Sequence, residues 1–166
     1  MTERQKYEVI GMIGSVEIRR YLPYVAADVV VKGDYESAGN SGFRPLANYI
    51  FSNNIAMTAP VLVEEKDKDA WQVSFVMPAG SKLSEMPEPA QNVKLRAGHE
   101  EVCAVVRFNG STSANKIAKT ETQLRDVLAE NKIAITGKPR VARFDPPWKP
   151  GILRHNELIM PIEWSR

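Results

Sequence analysis

The feature that most constrains this chain is that its sequence lies over itself. Shifted by 77 positions, VEIRRYLPYVAADVVVKG (Val16 to Gly33) falls without a gap on VKLRAGHEEVCAVVRFNG (Val93 to Gly110). Six positions are identical, namely Val16 with Val93, Arg19 with Arg96, Val25 with Val102, Ala27 with Ala104, Val29 with Val106 and Gly33 with Gly110. Ile18 over Leu95 and Val31 over Phe108 keep the apolar pattern, so the register makes physical sense. Each copy leads into a helical pattern, and the halves close alike, on Phe75-Val76-Met77-Pro78 and on Leu158-Ile159-Met160-Pro161. One helix on a few strands leaves a sheet edge and an apolar face open. The expected architecture is therefore a single α+β domain over 1–166, built from two pseudo-twofold-related sheet-plus-helix halves at about 7–78 and 93–164.

In the first half, Tyr7–Met12 and Val16–Tyr21 are β-rich runs around Gly14, which suits a hairpin. Val25–Val31 reads as a strand covered on both faces, and Lys32-Gly33-Asp34 ends it. In the helix that follows, Phe43, Leu46, Ala47 and Ile50 fall on one face, and Ser52, Asn53 and Asn54 stop it. Ala38, Gly39, Gly42 and Ala47 give that face little volume, so a partner either comes very close or leaves room. Pro45 is expected to kink the helix or delay its start. A second hairpin follows, from Ile55–Val63 through the charged turn Glu64–Asp69 to Trp71–Met77, and Pro78–Pro89 reads as a surface connector. In the second helix, Ser113 to Asn131, bulky Ile117, Leu124 and Leu128 share a face with Thr120 and Val127, and Ser113 is a plausible cap. That contrast favours a pocket on the first helix. The stretch Arg140–Leu158 carries Pro146, Pro147 and Pro150 and reads as a rigid wedge presenting Phe144, Trp148, Ile152 and Leu153 beside Lys149 and Arg154.

Charge and composition narrow the function classes. With 22 Lys and Arg against 20 Asp and Glu, the net charge of +2 is too small and too evenly spread to mark a nucleic-acid surface. No apolar run is long enough to span a bilayer, and the start lacks a signal-peptide core, so a cytoplasmic, soluble protein is expected. Cys103 is the single cysteine, expected to be a buried, unreactive thiol, and it precludes an internal disulfide. His99 reads as a surface residue, His155 as a loop residue, and Met57 as core filling. No metal site is expected. Motifs for hydrolase or phosphate chemistry are absent, although a pocket glutamate among Glu17, Glu36, Glu157 and Glu163 could do acid–base work.

The combination VEIRRYLPYVAADVVV, FRPLANYI, IAMTAPV, SFVMP and RFDPPWKPGILRHNELIMPIEW, in this order, resembles the SOUL haem-binding protein family over roughly Tyr7 to Trp164. The resemblance implies a distorted antiparallel β-barrel of two halves and reversible, non-covalent binding of haem or another tetrapyrrole in a cleft near the first helix. Carried over residue by residue, it implies that Phe43 and Ala47 touch the ring and that Lys149 meets a propionate, with Asn40 where another member has arginine. Trp148 is a further candidate for the ring face. In some members a histidine in an E-x-R-H-Y strand is a proposed iron ligand, and here Glu17, Ile18, Arg19, Arg20 and Tyr21 put Arg20 in its place. Arginine stays protonated and has no lone pair to give. The expectation is thus a non-enzymatic carrier or buffer that holds a small hydrophobic tetrapyrrole by its faces. The paired-half architecture also resembles gyrase-inhibitor-like effector domains, so a small-molecule sensor or interaction module, or an enzyme on that scaffold, stand as alternatives.

Overall fold

The computed structural model describes residues 2–90, 92–110, 112–145, 150 and 154–165. Eleven strands and two α-helices follow in the order β1 (Glu3–Arg4), β2 (Tyr7–Ile13), β3 (Val16–Tyr21), β4 (Tyr24–Lys32), α1 (Tyr35–Ser52), β5 (Thr58–Ala59), β6 (Val61–Asp67), β7 (Ala70–Val76), β8 (Lys94–Gly98), β9 (Glu101–Asn109), α2 (Ala114–Glu130), β10 (Arg140–Arg143) and β11 (His155–Pro161). Nine strands form one antiparallel sheet in the order β2-β3-β9-β11-β10-β6-β7-β4-β8, curled as a half-barrel. β1 and β5 pair separately and in parallel.

Leaving out β2, this order reads the same from both ends once β3 is exchanged with β8, β9 with β4, β11 with β7 and β10 with β6. The pseudo-twofold axis therefore passes between β6 and β10, where Val141 pairs with Val63. The repeat explains the exchange: β3–β4 and β8–β9 are the duplicated segments, and each pairs across to the other copy, β3 with β9 and β4 with β8. Neither half closes its own sheet.

Local signals account for the elements. Gly14 takes a left-handed φ of 58° in the β2–β3 turn. Asp34 caps α1 by accepting from the Ser37 amide at 2.9 Å, and Ser113 caps α2 by accepting from the Lys116 amide at 3.3 Å. Asn53 ends α1, its side chain donating to the Tyr49 carbonyl at 2.8 Å, and Asn54 turns left-handed at φ 54°. Helix α1 starts ten residues before Pro45 and runs through it, so Pro45 does not delay the start.

The two faces of the sheet have different fates. The side covered by α1 and α2 holds the main core, including Ile18, Leu46, Ile50, Phe75, Leu124, Leu128, Leu158 and Met160. The opposite face carries a smaller apolar cluster of Tyr21, Leu62, Val76, Cys103, Val105, Ala142 and Ile159, and among the described residues no α-helix covers it.

Two sequence expectations need correction here. The wedge at Arg140–Leu158 conceals two strand segments: β10 pairs with both β6 and β11 at the middle of the sheet, and β11 already begins at His155. With four residues and arginine at each end, β10 offers only Val141 and Ala142 as apolar signal, one per face. The small residues of α1 serve close packing rather than room. A Cβ on Gly42 would stand 2.5 Å from Val73 Cγ2, and one on Gly39 would collide with the Arg143 guanidinium.

Candidate functional site

Helix α1 buries Ala38, Gly39, Gly42, Leu46, Tyr49 and Ile50 against β4 and β7. Because Gly42 occupies the centre of that contact, Phe43 is pushed to its edge. Its ring remains 42% exposed and meets Phe75 edge-on at 5.2 Å. Ala47 is buried at 7% exposure, and Asn40 is exposed. Asn40, Phe43, Ala47 and Phe51 succeed one another along one side of the helix, with Phe51 63% exposed. The structure thus brings Asn40, Phe43 and Ala47 together, while Trp148 and Lys149 lie outside the described residues. Arg143, unremarked in the sequence, lies against Gly39 beside this stripe, stacked 5.0 Å from the Tyr35 ring with its Nε donating to the Tyr35 hydroxyl at 3.3 Å.

The helix-free face carries a buried polar cluster. Alternation along β3 points Glu17, Arg19 and Tyr21 to this side and Val16, Ile18 and Arg20 to the other. Arg19 binds both oxygens of Glu157, at 2.7 and 2.8 Å, and also donates to Glu17 at 2.8 Å and to the Tyr21 hydroxyl at 3.0 Å. The Tyr7 ring covers its guanidinium at 4.0 Å. Burial raises the Tyr21 hydroxyl above the ordinary tyrosine range, more than the Arg19 charge lowers it. His155 Nε2 lies 3.2 Å from Glu157 Oε2, and burial, opposed by that carboxylate, depresses its pKa. Its ring meets Phe144 at 4.5 Å, tilted by 40°, and Phe144 in turn lies 5.0 Å from the Arg4 guanidinium. Together with Gln5, Arg107, Val105 and Pro60, these residues enclose a cavity of about 250 Å³.

The pseudo-twofold partner of Arg19 is Arg96, which binds Asp28 at 2.7 and 3.2 Å beside a second cavity of about 350 Å³. There Arg140 contacts Glu101 at 2.5 Å and the Cys103 sulfur at 3.8 Å, and burial raises the Glu64 carboxyl. Cys103 is buried, as anticipated, and burial pushes its thiol up to about 12.

Arg20 faces away from the first cavity and pairs with Glu8 at 3.0 Å and Glu100 at 3.3 Å. Its place on the opposite side of β3 separates it from Glu157 and His155. Among the described residues no group of three His, Cys, Asp or Glu is placed to hold a metal ion. His99 is exposed, and Met57 packs partly buried against the main core. Of the carboxylates considered for acid–base work, Glu157 has both oxygens engaged by Arg19, and Glu36 accepts from the Ala114 amide at 3.3 Å. The buried ion pair has no local signal because Arg19 is one of three charged residues in the six-residue run VEIRRY. Its only sequence signal is identity with Arg96 in the repeat.

Two curled sheet-plus-helix halves sharing one sheet define the class, and solved structures of that class are similar to the chain. The C-terminal domain of EcmrR superposes with a TM-score of 0.73 at 13% identity, covering 96% of this chain and 99% of that one. A hydrolase from Listeria innocua gives 0.60 at 15%, covering 88% and 91%. SAV2435 bound to tetraphenylphosphonium gives 0.55 at 5%, covering 95% and 94%. At these identities the likeness is one of fold. No curated protein is similar enough in sequence to be matched. The chain belongs to the SOUL heme-binding protein family, which it matches over residues 2–161.

Proposed function

We propose that this protein reversibly binds a tetrapyrrole, haem or a porphyrin, along the outer side of α1, and buffers or carries it without transforming it. Family membership supports the ligand class, and the observation that carries the location is the exposed aromatic stripe. Single exposed apolar side chains are ordinary. Phe43 and Phe51 instead lie eight residues apart, about 12 Å along a helix, with small Ala47 between them, a relief on which a flat ring can lie. Phe43 is braced by Phe75, so little side-chain freedom is lost on binding. Asn40 can hydrogen-bond a ring substituent and Arg143 can offset a propionate; Trp148 and Lys149, outside the described residues, enter this reading from the sequence alone.

Iron is not the handle in this reading. Arg20 occupies the strand position where a ligating histidine was conceivable, and its guanidinium is engaged by two glutamates. Affinity then comes from burying the ring faces, at about 25 cal/mol per Å² of apolar area. Haemin and metal-free protoporphyrin titrated separately, followed by absorbance and tryptophan quenching, are expected to saturate at one equivalent with similar affinities. A preference for haemin beyond roughly a hundredfold would overturn the face-binding mode. Phe43→Ala is expected to weaken both ligands about fivefold, equivalent to about 1 kcal/mol for the half-exposed ring it removes, while leaving the fold intact.

A further inference from the structure

The cavity on the helix-free face has no part in that function. It opens on the side of the sheet away from α1, and at about 250 Å³ it is too small for a macrocycle. Gln5 is the observation that calls for an occupant. It lines the cavity, it is 7% exposed, and neither its amide oxygen nor its amide nitrogen has a hydrogen-bond partner. Its main chain is fixed, the Gln5 amide donating to the Ala59 carbonyl at 2.9 Å beside the β1–β5 pair. A buried primary amide held in place with both functions unused loses its hydration without replacement. A polar ligand in the cavity would supply the missing partners.

The charges select the sign of that ligand. Glu157 is occupied by Arg19 through both oxygens, and Glu17 accepts from the same guanidinium. Arg4 and Arg107 also line the cavity, and among the described residues neither has a carboxylate partner. Arg19 offsets one of the two carboxylates, and with Arg4 and Arg107 at the rim the lining holds three guanidiniums against two carboxylates, a formal excess of one positive charge. The Phe144 and His155 rings, 4.5 Å apart and tilted by 40°, supply an aromatic wall between them. We infer that this cavity is a second ligand site, taking a small organic anion with a flat apolar body, its charge between Arg4 and Arg107 and a polar group on the Gln5 amide.

Benzoate is the probe, with benzamidine as its cationic counterpart of similar shape, each titrated by NMR against the full chain with and without haemin. Benzoate is expected to bind saturably in the millimolar range or tighter, to shift Phe144, Tyr7 and Val105 resonances, and to exceed benzamidine by at least about tenfold. Arg107→Glu should weaken benzoate by about tenfold or more, whereas Lys66→Glu, a charge reversal at the other cavity, should change it by less than about twofold. Both positions are on the surface, and thermal unfolding checks that each variant folds. No saturable binding, equal binding of benzamidine, or equal losses from the two reversals would overturn the site. Displacement of benzoate by haemin would overturn its separateness from the tetrapyrrole surface. Failure of haemin to bind would leave the benzoate result standing, so the two proposals fail independently.

Discussion

Arg19 shows how much one side chain can hold in this molecule. Its side chain is 5% exposed and that of Glu157 is 4%, so both charges have left water, and each is compensated by the other. Arg19→Met would strand the carboxylate in the sheet and is expected to cost about 3–5 kcal/mol in urea unfolding, whereas Arg19→Met with Glu157→Met should recover most of that loss. Recovery no better than for the single variant would mean that the pair is not the unit. His155 belongs to the same cluster and makes a pH signature. Its folded pKa lies below the ordinary value of 6.5, so the unfolded chain binds the proton more readily. This contribution to stability is complete above about pH 6.5 and is lost as the pH falls from there through the folded pKa. The urea midpoint should therefore drop between pH 7.5 and 5.5, and His155→Gln should shrink that drop.

At the scale of elements, α1 was legible in outline but not in use. Stopping by Asn53 and the apolar period could be read from local chemistry, whereas Asp34, read only as the end of the preceding strand, is the cap of the helix as well. What its glycines do depends on a strand that arrives from elsewhere. Gly42 lets the helix approach β7 until Val73 fills the place of its missing side chain. Gly42→Ala is accordingly expected to destabilise by about 1–3 kcal/mol despite its better helix propensity, measured by urea unfolding. A stabilised variant would show that the contact yields freely. Strand β10 was illegible for the opposite reason. Its four residues carry little pattern of their own and are strand because β6 and β11 flank them on both sides.

Across the whole molecule, the duplicated segments hold the halves together by pairing with each other rather than within a copy. Cooperative unfolding follows, since opening one half exposes the edges of the other. Cys103, between Arg19 of β3 and Pro161 of β11 in the ladder, reports on this, being fully buried with its thiol pushed up to about 12. Labelling by a thiol reagent at pH 8 should track global unfolding, slowing about tenfold for each ~1.4 kcal/mol of added stability. Rapid labelling under native conditions would indicate local opening of the central strands.

The two halves, their helices, the α+β class, the buried cysteine and the family could be read along the chain, because these rest on periodicity, turn residues, motifs and an internal identity. That the small residues of α1 mean contact, that Arg140–Arg143 is a central strand, and that Arg19 and Glu157 meet emerged from the packed molecule. Those outcomes depend on residues up to 138 positions apart in sequence, and no local pattern encodes the distance between them.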